Sequence, residues 1–125
     1  MQENEITGLI LDTCIRIHRE LGPGLFESVY EEILAYELEK LGLEVQRQRG
    51  VEVEWDGRNM GLGFRADLIV ESKVIIELKS IEKLDKVHFK QLQTYLRLLN
   101  INVGLLINFN EALLKSGFHR VVNNL

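Results

Sequence analysis

Apolar residues recur at helical spacing through the first twenty positions. Ile6, Leu9, Ile10, Cys14, Ile17 and Leu21, with Thr13 among them, form one amphipathic stripe. Gly22-Pro23-Gly24 ends it, because proline cannot continue a helical ladder and glycine suits the C-terminal turn. A second helix is expected from about Phe26 to Leu41, with Tyr30, Ile33, Leu34, Leu38 and Leu41 turned inward and Gly42 just past its end. The period then changes to two. Val51-Glu52-Val53-Glu54-Trp55 alternates as a half-buried strand does, and Asp56-Gly57 signals a hairpin. The return strand covers roughly Met60 to Val70, and Glu71-Ser72-Lys73 turns the chain into a strand from Val74 to Lys79. A third helix is expected from about Leu84 to Leu99. The nearly continuous apolar run Val103 to Phe109 suits a strand covered on both faces, and Phe118 to Val122 suits a last short strand. The order predicts one α/β domain over residues 1–125, a mixed sheet with helices on its faces.

Composition narrows the function classes. The 125 residues carry 15 Lys and Arg against 19 Asp and Glu, a net charge of -4. Coating of DNA by bulk positive charge is therefore not expected, although a metal site would itself concentrate carboxylates. One cysteine excludes an internal disulfide and suits a reducing compartment. Cys14 sits on the apolar stripe and reads as a core residue. No apolar run is long enough to span a bilayer, and the opening Met1-Gln2-Glu3-Asn4-Glu5 lacks a basic segment leading into an apolar one. A cytoplasmic protein without membrane contact is the expectation. Glycine-rich phosphate loops, Cys/His zinc spacing and nucleophile elbows are all missing.

The chemistry concentrates on two neighbouring strands. Side chains alternate along a strand, so Arg65, Asp67 and Ile69 should share one face of the first strand, and Ile75, Glu77 and Lys79 one face of the next. The tight turn between them brings Asp67 beside Glu77 and Lys79, among many Val, Ile and Leu residues. Ionisable groups there must pair with one another or hold a cation. A partly buried salt bridge from Lys79 is the plainer alternative. On the third helix, Leu84, His88, Gln91 and Tyr95 form a polar stripe that either faces this group or faces water. Glu27, in the first turn of the second helix, suits the helix dipole and can also reach the sheet. Lys83, Lys86, Lys90 and Arg97 make a basic stripe that reads as a phosphate track or as an ordinary solvated face. Trp55, Tyr36 and Phe109 read as apolar core residues rather than as platforms for stacking on bases.

Asp67, then Glu77-Leu78-Lys79, then Gln91 in this order resembles the PD-(D/E)xK nuclease superfamily. Gln91-x-x-x-Tyr95 is similar to the Q-x3-Y motif of one of its branches, and Gly24 through Glu27 to Tyr30 resembles the signature of the GxxExxY family. Gly63-Phe64-Arg65-Ala66-Asp67 and Leu105-Leu106-Ile107-Asn108-Phe109 support the match, and Ala66 stands where the superfamily's name has proline. The resemblance implies a restriction-endonuclease-like fold and a nuclease that hydrolyses phosphodiester bonds with Mg²⁺ or Mn²⁺. Asp67, Glu77 and the Leu78 carbonyl would hold the ion, with Glu27 completing the site. Lys79 would position the attacking water, with Gln91 and Tyr95 orienting it. Arg65, His88, Lys83, Lys86 and Lys90 would contact the nucleic acid, with DNA the expected substrate. The rival is a non-catalytic module that keeps the fold and binds nucleic acid or protein. A homodimer is expected, since one small domain offers little surface to grip a duplex and symmetric dimers are the commonest oligomers.

Overall fold

The computed structural model describes residues 1–123. Helices α1 (Glu3–Leu21) and α2 (Glu27–Lys40) precede strands β1 (Val45–Trp55), β2 (Arg58–Val70) and β3 (Val74–Lys79). Helix α3 (Lys86–Leu99) then crosses to β4 (Val103–Asn108), and β5 (Phe118–Val122) follows a short 3-10 turn. The five strands lie in chain order. All neighbours are antiparallel except β3 and β4, which run parallel because α3 carries the chain back over the sheet.

The sheet separates two apolar layers. Ile6, Ile10 and Cys14 of α1 and Leu34 and Leu38 of α2 pack on Leu68, Val70, Val74, Ile76 and Leu78. Leu92 and Leu96 of α3 pack on Ile69, Ile75, Leu106 and Val121 across the sheet. Gly104 lets α3 come close, since a Cβ there would lie 3.0 Å from the Leu92 side chain. Gly42 ends α2 at φ 84°, a conformation other residues disfavour, and the Leu43 N–H closes the turn on the Leu38 carbonyl.

The β1–β2 ladder extends from Val45↔Val70 to Trp55↔Arg58, whereas β3 pairs only with Leu68, Ile69 and Val70 of β2. The rest of the hairpin is a two-stranded arm, irregular at Val51/Glu52 and at Glu52/Glu54. Gly63 is flush against Val53 in it, leaving no room for a Cβ.

Several expectations need correction. Trp55 is 68% exposed and Tyr36 61%, because the arm has no layer over its tip and Tyr36 lies on the outer side of α2. Phe109 alone of those three aromatics is core. Leu41 and Leu21 are exposed rather than inward, each at a helix end where the stripe has run past the sheet. β1 starts at Val45, six residues before the alternating run, and Leu84 precedes α3. Strict alternation also slips on β2, since Ala66 and Ile69 both join the α3-side layer although three residues apart. The slip lies at Asp67, and the facing residue on β1, Gln48, has a left-handed backbone at φ 49°.

Candidate active site

The β2–β3 ladder stops at Leu68↔Ile76. One step further, side chains replace it. The Asp67 N–H donates to Glu77 Oε2 at 2.9 Å, and the Leu78 N–H donates to Asp67 Oδ2 at 2.9 Å. Each carboxylate thus accepts from the opposite strand's backbone at the point where the strands part. Glu77 is buried and Asp67 half-buried. Burial, and then the charge of Asp67, push Glu77 up to about 8 from 4.5. Asp67 is also raised, mainly by burial, against hydrogen bonds from Leu78 and Gln48 that favour its ionised form. The pair therefore retains a proton into the neutral range when no cation is present.

Lys79 ends β3 half-buried, and its charge opposes the upward shifts of both carboxylates. Among the described residues it forms no ion pair with either acid; the ion pairs involve Arg16, Lys40 and Arg47. Lys79 is held through the backbone, with the Phe109 N–H donating to its carbonyl at 2.9 Å. The loop beyond it is fixed from two sides. The Ser80 N–H donates to Glu27 Oε2 at 3.0 Å, and Ser80 Oγ donates to the Leu25 carbonyl at 2.7 Å. Fully buried Asn108 accepts from the Ile81 and Asn110 N–H groups and donates to the Ile81 carbonyl at 2.9 Å.

Glu27 is exposed and touches this loop rather than the carboxylate pair. Tyr30, one turn later, is fully buried and stacks on Phe109 with centroids 4.2 Å apart. Its hydroxyl donates to the Gly22 carbonyl at 2.6 Å and accepts from the Leu25 N–H, tying down the segment that leads to Glu27. The spacing Gly24-x-x-Glu27-x-x-Tyr30 is thus a bracket around the end of β3.

Tyr95 lies flat on Phe64 of β2, 3.8 Å between centroids and 3° between planes. Its hydroxyl is pushed up by burial and by the charges of Glu77 and Asp67, against a hydrogen bond with Gln91, so Tyr95 borders the carboxylates. Gln91 is exposed beside it. His88 is occupied at the start of α3, where its Nδ1 accepts from the Asp85 N–H at 2.9 Å. Arg65, Lys83, Lys86, Lys90 and Arg97 are all exposed, on β2, the loop before α3 and α3 itself.

Two further residues join the group. Glu31 is a buried acid on α2, and its charge raises both Asp67 and Glu77. It accepts from Arg47 Nη2 at 3.2 Å and from Gln48 Nε2 at 2.6 Å. Gln48 Nε2 also donates to Asp67 Oδ1 at 3.2 Å. Glu31 follows Glu27 by four residues in a Glu-rich stretch that reads as a solvated face, and the one sign against that reading is its place directly after inward Tyr30.

The donor set suits a hard divalent cation. Among the described residues no three His, Cys, Asp or Glu side chains converge on one point. Two carboxylates suffice for Mg²⁺ or Mn²⁺, which keep several waters, and a carboxylate oxygen with one hydrogen bond retains a lone pair for an ion. A mixed sheet with a carboxylate pair and a lysine where two of its strands diverge defines a restriction-endonuclease-like α/β domain. A family model described as the PD-(D/E)XK nuclease superfamily matches residues 4–121, and the chain belongs to that superfamily. No curated protein and no solved structure matches it significantly. Nucleases of this superfamily generally use divalent metals, and their substrates are nucleic acids. None of the described helices is long and apolar enough to cross a membrane.

Proposed function

We propose that the chain is a Mg²⁺- or Mn²⁺-dependent nuclease that hydrolyses phosphodiester bonds of DNA, and that it belongs to the GxxExxY branch of its superfamily. The observation that carries this reading is the Asp67–Glu77 pair at the fork of β2 and β3, buried at Glu77 and half-buried at Asp67, with no ion pair to Lys79 among the described residues. Like charges held together at this burial are costly, and a divalent cation removes the cost. Asp67, Glu77 and the Leu78 carbonyl would hold the ion, which when bound polarises the phosphate and lowers the pKa of a water.

The chain's own residues do the rest. Lys79 orients the attacking water and stabilises the charge developing on phosphorus, with its backbone fixed by Phe109 and its following loop by Glu27 and Asn108. Gln91 and Tyr95 hold the polar wall opposite. Arg65, Lys83, Lys86 and Lys90 are exposed and supply phosphate contacts, with His88 at the edge of that surface. We place the protein in the cytoplasm, as a homodimer whose two sites each face one strand. The test is cleavage of single- and double-stranded DNA and RNA with Mg²⁺, Mn²⁺ or EDTA. Cleavage of DNA that needs the ion and is lost in Asp67→Asn is expected. Absence of ion-dependent cleavage on every substrate overturns the proposal.

A further inference from the structure

We infer that Gln48 is a positioning residue for Asp67, and that it acts by joining Asp67 to the buried acid Glu31 through its side-chain amide. The inference rests on the reading of Asp67 as a metal ligand.

The first observation is backbone conformation. Among the described residues, those other than glycine with positive φ are Gln48, Asp56, Glu71, Ser72 and Asn100. Four of these lie where the chain reverses or a helix ends: the β1–β2 turn, the β2–β3 turn and the C-terminus of α3. Gln48 is different. It stands inside β1 at φ 49°, between the paired positions Arg47↔Leu68 and Arg49↔Ala66. Such a conformation is disfavoured for glutamine and persists only when its surroundings impose it.

The second observation is what the conformation achieves. Consecutive side chains on a strand should point to opposite faces. Here Arg47 and Gln48 both reach Glu31 on α2, at 3.2 Å and 2.6 Å. The twist at Gln48 thus adds its amide to a side of the strand that regular pleating would give to Arg47 alone.

The third is the chemistry of the amide. Nε2 has two protons, and it meets Glu31 Oε1 at 2.6 Å and Asp67 Oδ1 at 3.2 Å. Asp67 Oδ2 is already fixed by the Leu78 N–H. Both oxygens are therefore oriented, one by backbone and one by Gln48. Arg47 anchors the far end, since it pairs with Glu31 and with Glu32 of α2. A lysine or arginine at position 48 would orient Asp67 equally well, but it would cancel the charge that a cation needs. A neutral donor holds the carboxylate and leaves its charge available.

The test uses the full chain and Mn²⁺ alone, titrated by calorimetry and by the electron paramagnetic resonance signal of free Mn²⁺. Gln48→Gly keeps the left-handed backbone and removes the amide. Gln48→Asn also tolerates that backbone, but its amide is one methylene too short to span both acids. Each should weaken Mn²⁺ binding by about 10- to 100-fold, the usual effect of removing a group that orients a ligand. The metal concentration for half-maximal cleavage should rise in parallel, while KM for the oligonucleotide stays unchanged. The melting temperature of metal-free Gln48→Gly should change little, because relief of the left-handed backbone offsets the hydrogen bond that Glu31 loses, and a change that small separates this role from a structural one. Wild-type Mn²⁺ affinity in folded Gln48→Gly or Gln48→Asn protein overturns the inference and leaves the nuclease proposal standing. A wild-type chain that neither binds Mn²⁺ nor cleaves overturns both.

Discussion

Replacing Glu77 by glutamine separates a cation site from an internal salt bridge. The substitution keeps the shape and one oxygen acceptor for the Asp67 N–H, and it removes a charge whose burial is unfavourable. The sign follows from the raised pKa. Below pH 4.5, Glu77 is protonated in the folded and the unfolded chain, so the exchange is nearly neutral. Between 4.5 and about 8 the unfolded carboxyl ionises while the folded one keeps its proton, and native stability is lost progressively. At 1.36 kcal/mol per pH unit over the span from 4.5 to 7, Glu77→Gln should be more stable than wild type by roughly 3 kcal/mol at pH 7. The melting temperature should accordingly rise by about 10 °C at pH 7 and hardly at all at pH 4. Metal reverses the ranking of responses. An ion bound with a dissociation constant of about 1 mM, supplied at about 10 mM, adds roughly 1.4 kcal/mol to wild type and nothing to the variant. Melts at pH 4, 7 and 8.5 with EDTA or Mg²⁺ give both readings. A variant less stable than wild type at pH 7, with a wild type indifferent to Mg²⁺, refutes the reasoning, because that is how a buried acid paired with Lys79 would behave.

Asn108→Ala leaves the Ile81 and Asn110 N–H groups and the Ile81 carbonyl without partners, and urea titration should show a loss of about 2–4 kcal/mol. Gly117→Ala drives a Cβ into the backbone carbonyl oxygen of Asn108, and should likewise lower the melting temperature, by about 5–10 °C, through a clash that no side-chain rotation relieves. Lys86→Ala with Lys90→Ala should weaken DNA binding and flatten its logarithmic salt dependence by about 1–2, with unchanged kcat at saturating substrate, as measured by fluorescence anisotropy and cleavage at several salt concentrations. Light scattering should give twice the 14.4 kDa chain mass at micromolar concentration, and a monomer mass there removes the dimer from the proposal.

The order of elements is legible because each segment has a clean period: 3.6 in Ile6–Leu21, two in Val51–Trp55, and an unbroken apolar run in Val103–Phe109. Exposure at the arm was not legible, because alternation looks the same in a strand with a layer over one face and in an arm with none. Asp67, Glu77 and Lys79 are visible as charges among Val, Ile and Leu. Asn108 gave a comparable signal, an amide at the end of a run of buried residues, although its partners two elements away cannot be read from the chain. Glu31 is hidden by Glu32, which makes both look like surface. Gln48 carries neither charge nor pattern, and its placement depends on a backbone angle that composition does not encode.

The crossed hydrogen bonds at the fork between β2 and β3 make the carboxylates part of the sheet's closure. Two amide protons, those of Asp67 and Leu78, are consequently reporters of the site. Their exchange with solvent deuterium should quicken or slow whenever a ligand draws Glu77 Oε2 or Asp67 Oδ2 away, with no label and no turnover required. The same feature governs the choice of an inactive control. Alanine at either position strips an acceptor from the neighbouring strand and starts to unzip the fork, so lost activity would mix with lost structure. Asp67→Asn and Glu77→Gln keep an oxygen for the strand's amide and so leave the fork closed, although Asp67→Asn gives up the hydrogen bond from Gln48 as well as the charge.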